Sequence, residues 1–254
     1  MGTKIEWATN ADGVPGETWN PVTGCTKISE GCEHCYAERM AKRLRGRCGY
    51  PADNPFRVTL HPERLGIPLH WKKARTVFVC SMSDLFHQDV PLTYNDHVFN
   101  RMARCPQHRF LVLTKRPEPM REYLLGYRPS EPLPNVGLGV TVESQDHEDR
   151  IAHLLACPAA MRFVSVEPML GGMAIGMLGI DWVIGGGESG PGARPMDPRW
   201  ARDLRDQCVA AGVPFFFKQW GGVHKKKHGR ELDGRTWNQR PAWFGEAAKE
   251  KDND

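Results

Sequence analysis

No apolar run in this 254-residue chain approaches the ~18 residues a membrane-spanning helix needs. The opening MGTKIEWATNADG holds no apolar stretch of secretory type. Glu6 stands where a myristoylation signal wants Ser or Thr. The expectation is a cytoplasmic chain without membrane contact. Charge of one sign is scarce too: 34 Lys and Arg against 30 Asp and Glu leave a net +4. That permits contact with nucleic acid without imposing it, since dedicated binders carry a denser basic patch. The one basic run, HKKKHGR (224–230), lies in an apolar-poor stretch and reads as a solvated loop. No internal repeat is visible, and GGGESG (185–190) is out of register for a dinucleotide-binding G-x-G-x-x-G.

What is present is a rhythm. Six short apolar runs recur: TVFVCSM (76–82), RFLVLTK (109–115), NVGLGVTV (135–142), MRFVSVEP (161–168), IDWVIGGG (180–187) and VPFFFKQW (213–220). Each has strand length and is apolar on both faces, as strands buried in a parallel sheet are. A short β segment near ETWNPVTG adds another. Helical patterns fall between them. The stretch 92–105 has Thr93 as N-cap, 144–157 has Ser144 as cap, and 197–212 has Asp197 as cap, Pro198 in the first turn and Gly212 as stop. CEHCYAERMAKRLRG supplies a further helix. Alternating strands and helices imply right-handed crossovers and a parallel sheet.

Polar residues repeat at the C-terminal ends of these strands, as at the active face of a β/α barrel. The expected fold is therefore α/β, a partial (β/α) barrel of six or so parallel strands. Residues 1–222 form the barrel domain and 223–254 a loop and polar tail. The final KEKDND reads as disordered.

Eight cysteines are present, and without a secretory signal reduced thiols are the default. Cys80, Cys105, Cys157 and Cys208 sit alone in apolar or helical surroundings and read as small buried hydrophobes. Cys25, Cys32 and Cys35 are different. Six residues and then two separate them, Gly24 and Gly31 permit tight turns, and a helix follows. Zinc in a structural site wants four ligands. Cys48, thirteen residues beyond Cys35, is one candidate fourth, and His34 another. Three thiolates suit a 4Fe–4S cluster with one iron left open.

The triad at the mouth of a β/α barrel resembles the radical S-adenosylmethionine superfamily. Its usual motif has gaps of three and two with an aromatic before the last cysteine; here CEHC matches with His34, and the first gap is six. More narrowly, WNPVTGCTKISEGCEHCYAE, SMSDLF, LTKRPE, SVEPMLG, WVIGGGESG and FFFKQWG resemble a phage-associated radical-SAM-like family also found in bacteria. That combination spans Trp19 to Trp220 and does not name a reaction.

The resemblance implies that Cys25, Cys32 and Cys35 bind the cluster and that the open iron takes the amino and carboxylate groups of S-adenosylmethionine. Reduction, by a donor such as flavodoxin or ferredoxin, then cleaves the sulfonium to a 5′-deoxyadenosyl radical. Ser81, Ser83 and Asp84 stand where the superfamily meets the methionine amino group, and Thr141 and Glu143 where it meets ribose. Gly186 and His34 complete the expected cofactor contacts. Glu167, Glu188 and Lys115 are the expected catalytic groups, and Arg116, Lys218, Gln219 and Trp220 the expected substrate contacts. A nucleic acid or nucleotide is the expected substrate. Two other readings compete. One is a zinc-stabilised nucleic-acid-binding module that uses Cys48 as fourth ligand. The other is a hydrolase with Glu167 and Glu188 as its acid–base pair.

Overall fold

The structure, a computed structural model, describes residues 2–3, 5–10, 12–128, 131–223 and 229–245. Seven strands form one sheet in chain order: β1 (Glu17–Trp19), β2 (Thr76–Val79), β3 (Arg109–Thr114), β4 (Val136–Thr141), β5 (Met161–Val166), β6 (Trp182–Gly186) and β7 (Phe215–Gln219). Every neighbouring pair is parallel. The helices are α1 (Tyr36–Arg43), α2 (Leu92–Ala103), α3 (Pro117–Glu122), α4 (Asp149–Ala156) and α5 (Pro198–Ala211). The fold is thus α/β, an open partial barrel of seven strands, the short ETW segment included.

A single side chain shows how far the sheet curls. Trp7 packs its ring on Phe78 of β2 at 4.7 Å and on Phe163 of β5 and Trp182 of β6 at 6.3 Å each. In a flat sheet β2 and β6 would lie about 19 Å apart, at ~4.8 Å per strand. One indole reaches both, so the concave face wraps around it. Trp7 belongs to a short 3-10 turn, Glu6–Ala8, that plugs the N-terminal end of the half-barrel together with Phe244.

Alternation along the strands divides the core. Phe78, Leu111, Phe163, Ile184 and Phe216 point to the concave side. Val77, Val79, Val112, Val164, Val183 and Phe217 pack under the helices. On β4 the inward positions are Gly137 and Gly139, and a Cβ at either would collide with Met161 or with the Phe163 ring. These glycines make room for β5's large side chains.

Several local expectations are corrected. Thr93 is not the cap of α2; the N-cap is Pro91, with no side-chain cap bond. Ser144 does not cap α4, because its hydroxyl donates to Glu30 Oε1 at 3.0 Å instead. Asp197 does cap α5, accepting from Arg199 N at 2.8 Å, and Gly212 ends it in the left-handed region at φ 67°. Beyond residue 222, the described part of the tail is ordered against the barrel. Glu231–Leu232 and Arg235–Thr236 form a hairpin, and Leu232 and Phe244 are buried. Most of the basic run (224–228) and KEKDND lie outside the described residues. Among the described residues no helix is long and apolar enough to cross a membrane.

Replacing Trp7 by Ala removes the floor of the concave face. Unfolding in denaturant should show a loss of about 3–5 kcal/mol with an unchanged m-value, the range for a fully buried aromatic.

Candidate functional site

The three-cysteine loop follows β1. The chain turns sharply at Gly24, whose φ of +83° and contact with the Arg57 carbonyl leave no place for a Cβ. Gly24 N donates to Met82 O at 3.0 Å and Cys25 N to Phe56 O at 3.1 Å. The loop then runs across the C-terminal rim of the sheet and enters α1 directly after Cys35. Cys25, Cys32 and Cys35 are partly exposed, and all three line one cavity of about 440 Å³ inside the half-barrel. Thr141, Ser165 and Glu167 line its wall, and Ile5, Trp7 and Phe78 its apolar end.

Cations face two of the sulfurs. Lys115 Nζ lies 3.5 Å from Cys32 Sγ, and Arg116 Nη1 lies 3.4 Å from Cys25 Sγ. Burial opposes a thiolate at Cys32, but Lys115 and hydrogen bonds from Ile28 and Ser29 outweigh it and lower its pKa. Burial and then Asp84 push Cys25 up to about 11, with Arg116 acting in the other direction.

Two buried carboxylates fasten the loop to the rim. Glu143, at the end of β4, is fully buried. Its Oε1 accepts from Ser29 Oγ at 2.6 Å and pairs with Lys115; its Oε2 accepts from Arg150 Nη1 at 2.6 Å. Burial works against its charge, yet Lys115 and Arg150 hold its carboxyl below the usual range. Gly31 passes so close over it that a Cβ would strike the carboxylate. On the other side Glu188, after β6, accepts from His34 Nδ1 at 3.1 Å and from three nitrogens of Arg194. Burial alone would raise its pKa, but these bonds bring it to about 2.

The expected site residues therefore divide. Cys25, Cys32, Cys35, His34, Ser81, Ser83, Asp84, Thr141, Lys115, Arg116, Glu167, Glu188, Lys218 and Gln219 all line the cavity. Asp84 is not free to meet an ammonium: it accepts from Phe86 N, Thr114 Oγ1, Lys115 N and Arg116 Nη1 at 2.7–3.2 Å. Glu143 is a strut beneath the loop rather than a wall of the cavity. Glu188, locked as a carboxylate by Arg194, is unsuited to proton transfer near neutral pH. Ser83 Oγ donates to Val22 O at 2.8 Å and Ser81 Oγ to Asn20 Oδ1 at 3.2 Å. Gly186 lies behind Gly187, with its carbonyl accepting from Met169 N at 2.9 Å. Trp220 turns away from the cavity, stacking edge-on to Phe217 at 4.8 Å and donating from Nε1 to Glu231 O at 2.8 Å. Lys218 reaches over β6 to Glu167 Oε1 at 2.5 Å, passing residues 185–187, which are all glycine.

Cys48 is exposed, in the left-handed region at φ 51°, and is not part of the cavity wall. Cys80, Cys105, Cys157 and Cys208 are buried as expected, with Cys80 also contributing to the cavity lining. Among the described residues no three His, Cys, Asp or Glu side chains converge as a finished metal site. The donor set nonetheless fits an iron–sulfur cluster: three accessible thiols on one loop, two of them facing cations, beside space for a ligand. Arg150, Arg194, Ser29 and Arg39 escape sequence reasoning, because nothing in composition or spacing marks the partners that the folded loops give them, from Glu143 for Arg150 to Glu30 for Arg194.

Fold and site together define a class: an open α/β half-barrel whose first strand-to-helix loop sets three cysteines over the sheet's C-terminal rim. The chain belongs to the family described as "Protein of unknown function (DUF5131)", which takes in residues 2–241. No curated protein matches it. Among solved structures it is similar to a mutant of spore photoproduct lyase, with 13% identity and a TM-score of 0.45, over 81% of this chain and 63% of that one. A second match is spore photoproduct lyase complexed with dinucleoside spore photoproduct, with 11% identity and a TM-score of 0.42, over 81% and 65%. The chain spans less than two thirds of the length of these neighbours.

Glu143→Ala strips Arg150 and Lys115 of their shared buried partner. Denaturant unfolding should show a loss of about 3–5 kcal/mol, as expected when one half of a buried ion pair is removed.

Proposed function

We propose that the protein is a radical S-adenosylmethionine enzyme that modifies or repairs a nucleic acid or nucleotide. The observation that carries the enzyme class is the placement of the triad: three accessible thiols on one pinned loop, at the mouth of a 440 Å³ cavity. A cavity of that size is in the range that takes drug-sized ligands and cofactors.

Cys25, Cys32 and Cys35 would hold a 4Fe–4S cluster. When bound and reduced, such a cluster supplies the electron that splits the sulfonium of S-adenosylmethionine. The chain's own residues do the rest. Lys115 and Arg116 offset negative charge at the sulfurs. Thr141 and Ser165, register partners on β4 and β5, turn hydroxyls toward ligand polar groups. Glu167 and Lys218 offer an acceptor and a donor that can exchange each other for substrate. Trp7 and Phe78 close the deep end and exclude water from it. A flavodoxin- or ferredoxin-like reductant is the proposed electron donor. Support for the substrate class is the set of basic strand-end residues on the cavity wall, Lys115, Arg116 and Lys218.

The competing readings fare worse. A zinc module needs a fourth ligand; Cys48 stands outside the cavity wall, and His34 is engaged through Nδ1 by Glu188. A hydrolase needs Glu188 as acid or base, and Arg194 and His34 already occupy both its oxygens.

Anaerobic reconstitution with iron and sulfide is the test. Wild type should take up roughly four irons per chain and show a broad band at about 400 nm. Cys32→Ala should lose the band and Cys48→Ala should keep it. One zinc and no iron after the same treatment would overturn the proposal.

A further inference from the structure

Arg194 makes five hydrogen bonds, and all of them tie β6's exit loop to itself or to the cysteine loop. Its backbone N and Nε donate to Glu188 Oε2, both at 2.9 Å, and Nη2 donates to Glu188 Oε1 at 2.7 Å. The planar guanidinium thus grips both carboxylate oxygens at once, a geometry that lysine cannot reproduce. The same head group continues past Glu188. Nη2 donates to Glu30 O at 2.8 Å and Nη1 to Glu33 Oε2 at 3.2 Å. Glu30 and Glu33 flank Cys32 in the chain. Glu188 in turn holds His34, next to Cys35.

The base of this clamp is rigid. Gly222 N donates to Glu188 O at 2.7 Å and Gly190 N to Gly222 O at 3.1 Å, which joins the exits of β6 and β7. Gly190 and Gly192 take φ of +103° and +80°, and a Cβ at either would meet Arg39's guanidinium or the His34 ring. Arg39 adds donations to His34 O and Ser189 O, each at 3.2 Å. Arg194's own side chain is 30% exposed, so its loss leaves no void in the core.

Cys25 is held differently. Its backbone bond goes to Phe56, and its neighbours Gly24 and Thr26 bond to Met82 and Arg116. None of these groups touches Arg194.

We propose that Arg194 is a positioning residue that sets Cys32 and Cys35, and not Cys25, for binding of the cluster. The proposal rests on the cluster reading above for its purpose, but its geometry can be tested without any cluster. The experiment uses the full, reduced, metal-free chain. Iodoacetamide modification of each cysteine is followed by mass spectrometry in wild type, Arg194→Ala, Arg194→Lys and Glu188→Gln. Arg202→Ala, on the exposed side of α5, is the control.

Cys32 and Cys35 should react roughly 10–100-fold faster in both Arg194 variants, with lysine failing to rescue, while Cys25 keeps its rate. Glu188→Gln should accelerate the same two thiols. After reconstitution, Arg194→Ala should lose iron to a chelator about 10–100-fold more readily than wild type, as when the supports of metal ligands are removed. Unchanged rates in Arg194→Ala, or equal acceleration of all three thiols, would overturn the proposal. Wild type that binds no iron would sink the cluster reading, and the alkylation rates would still decide the role of Arg194.

Discussion

The burial of Glu143 is the constraint on which the rest of the site depends. A fully buried carboxylate is tolerable only when its oxygens are met by cations and donors. Arg150 supplies one side of that requirement from α4, and Lys115 and Ser29 supply the other. Because Ser29 belongs to the cysteine loop, satisfying the charge also draws the loop onto the rim. Glu188 repeats the device on the far side through His34 and Arg194. Between these two anchors Cys32 stands over the mouth of the cavity, with an ammonium 3.5 Å away. Asp84 adds a third tie by holding Arg116, which reaches back to Thr26 and Cys25.

The sheet beneath is shaped to leave space there. Large rings fill the N-terminal half of the concave face, with Trp7 at the centre. Toward the C-terminal rim the inward residues become small or polar: Thr141, Ser165 and, just after β6, Gly187. The absence of side chains at 185–187 lets Lys218 cross to Glu167. A closed barrel would fill this region with packed layers. An open one, floored by its own N-terminal turn, keeps it accessible.

Much of this was legible in the chain. Runs such as RFLVLT and VGLGVT announced strands buried on both faces, and the polar residues after them announced the rim. The Cys25–Cys35 spacing singled out the loop. Legibility ended where function depends on which side chains the folded loops bring together. Glu143 and Thr141 look equivalent as polar residues after one strand. Only Ser29, 114 positions away, reveals that Glu143 is a strut. Glu188 looked like a catalytic carboxylate until Arg194 was seen to occupy both its oxygens. Trp220 read as a substrate contact, and the hairpin after residue 230 claims its Nε1 instead. Ser144 has the composition of a cap, yet Glu30 competes successfully for its hydroxyl.

The central claim is that the three thiols hold a cluster with one iron open to S-adenosylmethionine. Mössbauer spectroscopy of protein reconstituted with ⁵⁷Fe, with and without S-adenosylmethionine, tests it most directly. The account predicts a 4Fe–4S spectrum in which about one quarter of the iron signal, the iron without a thiolate, changes on addition of S-adenosylmethionine. A cluster spectrum indifferent to S-adenosylmethionine, or no cluster iron at all, would contradict it.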